Sequence, residues 1–60
     1  MRIIRLPEVI AKTGLGRSTI YKLISEDLFP KSVPLMPRVV GWIESEVEEW
    51  ILERIAERDS

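Results

Sequence analysis

Three residues, Gly14-Leu15-Gly16, separate two segments whose apolar side chains repeat with helical spacing. The spacing is i, i+3, i+4 in both segments, at Leu6, Val9 and Ile10 before the connection and at Ile20, Leu23 and Ile24 after it. A connection this short and this rich in glycine is typical of two helices that cross each other closely. The sequence therefore predicts a helix-turn-helix.

Local signals place the ends of both helices. Leu6-Pro7-Glu8 is typical of a helix start, because proline needs no N–H partner there and a carboxylate complements the positive end of the helix dipole. Gly14 stands where the C-terminus of the first helix needs a positive φ, so we expect that helix to end at about the preceding residue. We expect the second helix over about 17–26, with Gly16 as its N-cap and its end before Phe29-Pro30.

Residues 31–42 change to β-branched residues and prolines. Because a proline lacks the N–H that a central strand donates, we expect a short two-stranded hairpin packed on the helices, with Pro37 in its turn. Ser45 followed by Glu48 predicts a capping box that opens a third helix. That helix is expected to close the core with an apolar stripe formed by Val47, Trp50, Ile51 and Ile55. The predicted fold is thus mainly α with a small β-hairpin, a winged helix-turn-helix that occupies residues 1–60 as a single domain.

The charge of the chain is unevenly distributed, although its net value is only −1. Residues 1–42 hold seven basic and three acidic residues, a net charge of +4, whereas residues 43–60 hold two basic and seven acidic residues, a net charge of −5. A basic body can meet a phosphate backbone while an acidic last helix stays in solvent. The same distribution also fits two ordinary solvated surfaces, so charge alone does not decide between DNA binding and no binding.

Missing residue types exclude several classes of site. The chain has no cysteine and no histidine, which removes disulfides and the common thiolate and imidazole metal sites, and we predict no metal or other cofactor. The core must therefore come from aliphatic side chains and from Trp42 and Trp50. The acidic run Glu44–Glu49 has no histidine or nucleophile to work with, so we expect a solvated helix face and no enzyme. No segment reaches the roughly 18 apolar residues of a membrane span, and no apolar region follows Arg2 and Arg5, so we expect a cytoplasmic protein.

The second helix carries the candidate recognition surface. In helix-turn-helix proteins, the N-terminal residues of the second helix face base edges in the major groove of double-stranded DNA. Arg17 suits base reading, because its guanidinium can donate to O6 and N7 of one guanine together. The predicted DNA-binding residues are five on the solvent-facing side of this helix and two in the hairpin region: Arg17, Ser18, Thr19, Tyr21, Lys22, Lys31 and Arg38.

Ser18 and Thr19 share the N-terminal turn with Arg17, and Ser18 can reach a base or a phosphate. The remaining candidates are expected to contact the DNA backbone. We expect Lys22, Lys31 and Arg38 to neutralise phosphates, which makes binding weaker as salt rises. The hydroxyl of Tyr21 can donate to a phosphate, or its ring can lie against the hairpin as a partly buried aromatic side chain. Thr19 can equally point toward the first helix. Exposed arginine and lysine can also form an ordinary solvated helix face.

Four blocks of sequence cover most of the chain: Ile4-Arg5-Leu6-Pro7-Glu8-Val9, Thr13-Gly14-Leu15-Gly16-Arg17-Ser18-Thr19-Ile20-Tyr21-Lys22-Leu23-Ile24, Phe29-Pro30-Lys31 and Trp42-Ile43-Glu44-Ser45-Glu46-Val47-Glu48-Glu49-Trp50-Ile51. In this order and spacing they resemble the AlpA family of prophage regulatory proteins. The resemblance implies a MerR-like or excisionase-like winged helix that acts on DNA near integrase or other prophage genes. It also implies that the five candidates of the second helix belong to a recognition helix, and that Lys31 and Arg38 belong to a wing.

Two positions depart from the pattern of that family. Gly16 stands where the family commonly has serine. Glycine in place of a serine N-cap lowers stability by only about a few tenths of a kcal/mol. Met36-Pro37 stands where the family usually has glycine in the wing turn. We therefore expect a stiffer wing tip that lets DNA approach less closely.

Three functions remain open on the sequence. A transcriptional regulator is the leading interpretation, and an excisionase that bends DNA to steer an integrase needs the same helix and wing. The third is a protein-interaction module, in which the apolar stripe around Trp50 and the acidic face bind a partner. One small module buries only about 600–1,000 Å² on DNA, so we expect tight binding to need two copies, as a homodimer or a cooperative multimer. Leu52, which the stripe does not bury, is a candidate for contact between copies.

Overall fold

Three helices and a small antiparallel sheet make up residues 1–59, the part of the chain that the computed structural model describes. Along the chain the elements are β1 (Ile3–Ile4), α1 (Leu6–Thr13), α2 (Arg17–Ser25), β2 (Val33–Met36), β3 (Val39–Ile43) and α3 (Glu44–Asp59). This order is that of a winged helix-turn-helix, in which β2 and β3 form the wing hairpin. The mainly α fold predicted from the sequence is confirmed.

The turn between α1 and α2 has the geometry that its glycines indicate. Gly14 has a φ of 73° and donates its N–H to the carbonyl oxygen of Ile10 at 2.8 Å, which ends α1 at Thr13 as predicted. Gly16 is extended, with φ −79° and ψ 165°, and forms the N-cap of α2. The second helix ends at Ser25, one residue earlier than predicted.

The chain leaves α2 through a left-handed residue, Asp27, whose φ is 59°. The N–H of Asp27 donates to the carbonyl oxygen of Ile24 at 3.1 Å, and the N–H of Leu28 donates to that of Leu23 at 2.8 Å. This pair of hydrogen bonds is the Schellman motif, which usually has glycine at the left-handed position. Asp27 is one of the few residues with a side chain that adopt this conformation, and it does so less favourably than glycine.

The sheet has three strands in the order β1-β3-β2, one more than the predicted hairpin. β3 is central, since Ile4 of β1 pairs with Trp42, and Val33 of β2 pairs with Gly41, both in antiparallel register. The predicted hairpin is confirmed by β2 and β3. The additional strand β1 was missed because it has only two residues, too few to show a periodicity of their own. Pro34 lies in the edge strand β2, where its missing N–H is tolerated.

Gly41 allows β1 to lie close to the centre of the sheet. A Cβ atom at this position would lie 2.5 Å from Cγ2 of Ile3 and 3.1 Å from the backbone oxygen of Ile4. Any larger residue would therefore require the Ile3 side chain and the adjacent backbone of β1 to shift.

The third helix, α3, follows β3 without a loop. The N–H of Glu44 donates to the carbonyl oxygen of Arg2 at 2.8 Å, so the pairing of β1 with β3 continues into the first residue of α3. Ser45 consequently lies inside α3, and the capping box predicted from Ser45 and Glu48 is wrong. Among residues 1–59, no helix combines the length and the apolar character that a membrane span requires.

The core lies between the helices and the sheet, and every helix contributes to it. Its buried side chains are Ile4, Val9, Ile20, Phe29, Trp42 and Val47. Trp42 is 0% exposed, and its indole Nε1 donates to the carbonyl oxygen of Pro30 at 3.1 Å. The stripe on α3 closes the core less completely than predicted, because Ile55 remains 41% exposed.

Candidate nucleic-acid interface

One side of α2 is open to solvent. The buried side of the helix carries Ile20, with Leu23 and Ile24 packed against the core beside it. The rest of the helix exposes all five of its predicted DNA-binding residues: Arg17, Ser18, Thr19, Tyr21 and Lys22. The exposure of Thr19 disfavours its alternative role as a contact to α1. α2 thus presents a polar, basic surface to solvent.

The N-terminus of α2 belongs to this open surface. Gly16 has no side chain to cap the helix, and within residues 1–59 no side-chain hydrogen bond caps it. The first backbone N–H groups of α2 therefore keep donor capacity for an anion. Arg17 and Ser18 extend from the same turn, so backbone and side-chain donors lie together.

Tyr21 joins this surface to the core. The centroid of its ring lies 6.3 Å from that of Trp42, with the ring planes at 59°, and Tyr21 remains 39% exposed. The ring therefore lies against the hairpin strand β3. This position agrees with the second alternative for Tyr21, a partly buried aromatic side chain. The guanidinium carbon of Arg17 lies 5.9 Å from the centroid of the same ring, within the range of about 6 Å for a cation–π contact.

The two candidates outside α2 lie in different parts of the fold. Arg38 is exposed in the turn between β2 and β3, together with Pro37 as predicted, so it stands at the tip of the wing. The hairpin spans 33–43 instead of the predicted 31–42, so Lys31 lies two residues before β2. The ammonium of Lys31 pairs with the carboxylate of Asp27 at 3.5 Å, with both side chains more than three-quarters exposed. Lys31 thus belongs to the loop at the end of α2, and its assignment to the wing is wrong.

Two basic residues of the N-terminal part of the chain form ion pairs with acidic residues of the same protein. Arg2 pairs with Glu44 at 2.7 Å and with Glu8 at 3.1 Å. Lys12 pairs with Glu44 at 3.5 Å and with Glu48 at 3.4 Å. The hydrogen bond from Arg2 to Glu44 is the main cause that raises the pKa of Arg2 above its usual value. These pairs tie α1 and the start of the chain to α3.

The remaining basic residues of the first two-thirds of the chain form no ion pair within residues 1–59: Arg5, Arg17, Lys22 and Arg38. The charge of +4 counted along the sequence therefore overstates the basic surface, but what remains includes three predicted DNA-binding residues. Arg5 is also exposed and is a further candidate that was not predicted from the sequence. Glu8, three residues after Arg5, looks like its partner in the sequence but pairs with Arg2 instead.

The acidic side chains of α3 do not gather into a site. Glu44 and Glu48 take part in the ion pairs described above, whereas Glu46, Glu49 and Glu53 are exposed. Among residues 1–59, no three acidic, histidine or cysteine side chains come together as they would to hold a metal ion. α3 therefore contributes an acidic, solvent-facing surface to a molecule whose α2 is basic.

Comparisons with known proteins cover most of this arrangement. A family model described as the prophage CP4-57 regulatory protein (AlpA) matches residues 2–55, which include α1, α2 and the wing. The DNA-binding transcriptional activator AlpA of Escherichia coli (strain K12) is 45% identical over an alignment 60 positions long, which covers 90% of this chain and 86% of that protein. The uncharacterized protein ORF88 of Enterobacteria phage P4 is 49% identical over 57 aligned residues, which span 95% of this chain and 65% of that protein. The chain belongs to the AlpA family of prophage regulatory proteins.

Proposed function

We propose that this protein is a sequence-specific DNA-binding transcriptional regulator of the AlpA type. The observation that carries this proposal is the open side of α2, which presents Arg17, Ser18 and Lys22 directly after a helix-turn-helix connection. The Escherichia coli relative is named a DNA-binding transcriptional activator, which supports the same function here. We also propose that it acts in the cytoplasm, and by binding instead of catalysis, because its family and its Escherichia coli relative are described as regulators.

In this proposal α2 enters the major groove with its N-terminal turn first. Arg17 donates two hydrogen bonds to O6 and N7 of a guanine, a contact worth about 1–3 kcal/mol of discrimination between bases. Ser18 and Thr19 lie beside it and reach base edges or the nearest phosphate. Lys22, more than one turn later, neutralises a phosphate, and the free N–H groups after Gly16 bind another.

The contacts outside α2 go to the DNA backbone. Arg38 at the wing tip neutralises a phosphate, and the neighbouring Pro37 restricts the turn that carries it. Lys31 exchanges its pair with Asp27 for a phosphate, so its net contribution to affinity is smaller than that of Arg38. For Tyr21, a hydrogen bond from its hydroxyl to a phosphate is the alternative to a role through its ring.

We further propose that tight binding requires two copies on the DNA. A single module of this size buries only about 600–1,000 Å² in a complex, which is small for a high-affinity site. Leu52 is 63% exposed and Ile55 is 41% exposed on α3, so these side chains are candidates for contact between copies. A stoichiometry of one protein per isolated high-affinity site, measured by analytical ultracentrifugation of the complex, would contradict this part of the proposal.

The proposed function is tested by selecting DNA from the source genome. Wild-type protein and the Arg17→Ala variant are each titrated against sheared genomic DNA at two salt concentrations, and the bound fragments are sequenced. Arg58→Ala is the matched control, because Arg58 is an exposed arginine at the far end of α3 that pairs only with Asp59 within the described residues. We expect wild type and Arg58→Ala to enrich the same fragments near integrase or other prophage promoters, and Arg17→Ala to lose that enrichment.

Other outcomes separate the alternatives. Absent or sequence-blind binding by the wild type would contradict the proposal and favour a protein-interaction module. Enrichment of recombination sites that the protein bends strongly, with no effect on a promoter, would favour an excisionase.

A further inference from the structure

A chain of ring contacts connects the candidate base-reading residue to the core. The guanidinium carbon of Arg17 lies 5.9 Å from the centroid of the Tyr21 ring, and that ring lies 6.3 Å from Trp42. Trp42 is 0% exposed and is fixed by the hydrogen bond from its indole Nε1 to the carbonyl oxygen of Pro30. In this series of contacts, Trp42 is therefore held in the core, whereas Arg17 reaches solvent.

Arg17 has no other described contact that would restrict its side chain. It follows Gly16, which has no side chain, and it forms no ion pair or side-chain hydrogen bond within residues 1–59. A long arginine side chain that is free in solvent loses rotamer entropy when it must adopt one geometry on a base. Within residues 1–59, the described contact of this guanidinium is the ring of Tyr21, four residues later on the same side of α2.

We infer, on the basis of the proposed function, that Tyr21 is a positioning residue for base recognition. Its ring, supported by Trp42, holds the guanidinium of Arg17 toward the guanine edge before binding. The contribution of Tyr21 is therefore to sequence preference, through Arg17, and it depends on the aromatic ring. A phosphate contact through the Tyr21 hydroxyl would instead add the same affinity for every DNA sequence.

The two roles are distinguished by changing the hydroxyl and the ring separately. Tyr21→Phe removes the hydroxyl and keeps the ring, whereas Tyr21→Leu removes both. Affinity is measured for the enriched genomic site, for that site with its Arg17-dependent G·C pair replaced, and for unrelated duplex DNA. Thermal unfolding of each variant is measured first, and Tyr21→Met provides a second ring-free side chain if the leucine variant does not fold.

We expect Tyr21→Phe to keep the wild-type preference for the G·C pair. Tyr21→Leu should lower that preference by about two- to fivefold, the value of an exposed cation–π contact expressed as a ratio of affinities, with no change on unrelated DNA. In an Arg17→Ala background, Tyr21→Leu should have no further effect on the preference, because its action passes through Arg17.

A second readout needs no DNA. In the NMR spectrum of the free protein, the side-chain protons of Arg17 should be shifted upfield by the ring of Tyr21 in wild type and in Tyr21→Phe. In Tyr21→Leu they should move to the positions of a solvent-exposed arginine. The backbone resonances of α2 serve as the control that the helix is intact.

Several results would overturn the inference. One is an unchanged G·C preference in Tyr21→Leu, and another is unchanged Arg17 resonances in that variant. Equal losses on all DNA sequences in Tyr21→Phe and Tyr21→Leu would assign Tyr21 to a phosphate instead. If wild type shows no Arg17-dependent preference, the proposed function fails and this inference fails with it, whereas a wild-type preference that survives Tyr21→Leu removes this inference alone.

Discussion

Gly14 and Gly16 stand on either side of one residue in the turn and have different backbone conformations. Gly14 is left-handed with a φ of 73°, whereas Gly16 is extended, a conformation open to any residue. A Cβ atom at either position would meet no other atom within 4 Å. Substitutions at the two positions therefore test backbone conformation without steric overlap, and only the first position requires glycine.

We expect Gly14→Ala to lower the free energy of unfolding by about 1–2 kcal/mol, because alanine is strained in the left-handed region. Gly16→Ser is the matched control, and we expect it to raise the free energy of unfolding by about a few tenths of a kcal/mol, because serine can cap α2. Urea denaturation followed by circular dichroism measures both changes. Equal losses of unfolding free energy in the two variants would contradict the claim that only Gly14 requires glycine.

Single residues also show where the sequence was sufficient to predict the site and where it was not. The exposed residues of α2 were predictable, because Ile20 and Leu23 mark the buried side of a helix and thereby fix the opposite side. The neutralisation of Arg2 by Glu44 was not, because these residues are 42 positions apart and meet only through the tertiary fold. A count of charges along the chain treats such a pair as two free charges.

At the scale of the elements, the end of α2 has a residue that is less favourable there than glycine. Asp27 occupies the left-handed position of a Schellman motif, where glycine is usual. Its carboxylate pairs with Lys31 at 3.5 Å, but both side chains are so exposed that the pair contributes little to stability. Backbone conformation is thus the larger effect at this position.

We expect Asp27→Gly to raise the free energy of unfolding by about 0.5–1 kcal/mol, the relief of left-handed strain less the greater entropy of glycine in the unfolded chain. In a protein of this size such a gain corresponds to a rise of several degrees, roughly 2–8 °C, in the midpoint of thermal unfolding. Asp27→Asn removes the ion pair with Lys31 but keeps a residue that tolerates this conformation, so it should change stability by less than about 0.5 kcal/mol. If Asp27→Asn lowers the free energy of unfolding by more than Asp27→Gly raises it, the main effect at this position is the ion pair with Lys31.

The elements also differ in how far their own sequences determined them. α1 and α2 were predicted within one residue at each end, because periodicity, proline and glycine act over a few neighbouring positions. β1 was missed because its stability comes from pairing with Trp42 and Ile43, almost forty residues later. The start of α3 was misplaced for the same reason, since the carbonyl oxygen of Arg2 accepts the N–H of Glu44 in place of a local cap.

At the scale of the whole molecule, the charges divide between a basic side of α2 and an acidic α3. Ion pairs from Arg2 and Lys12 to α3 neutralise part of the positive charge counted in the sequence. Among the described residues without an ion pair, the bases Arg17, Lys22 and Arg38 belong to α2 and the wing tip. DNA binding by this molecule should therefore depend on a few phosphate contacts, each with its own share of the salt dependence.

We expect Lys22→Ala to weaken binding by a similar factor on every DNA sequence. The slope of log affinity against log salt concentration should fall by about one, since one phosphate contact and its released counterion are lost. Titrations at four salt concentrations measure this slope, and Arg58→Ala should leave it unchanged. A change in base preference with an unchanged slope would mean that Lys22 reads a base.

The central claim is that Arg17 reads a guanine in the major groove, and replacement of single guanines by 7-deazaguanine tests it most directly. This analogue lacks the N7 acceptor but keeps O6 and the Watson–Crick pair, so it removes one of the two proposed hydrogen bonds. At one guanine of the enriched site, we predict that the analogue weakens wild-type binding by about three- to tenfold and leaves Arg17→Ala unaffected. If no guanine gives this difference, and the analogue affects both proteins equally at every position, Arg17 does not read a guanine through N7 in the major groove.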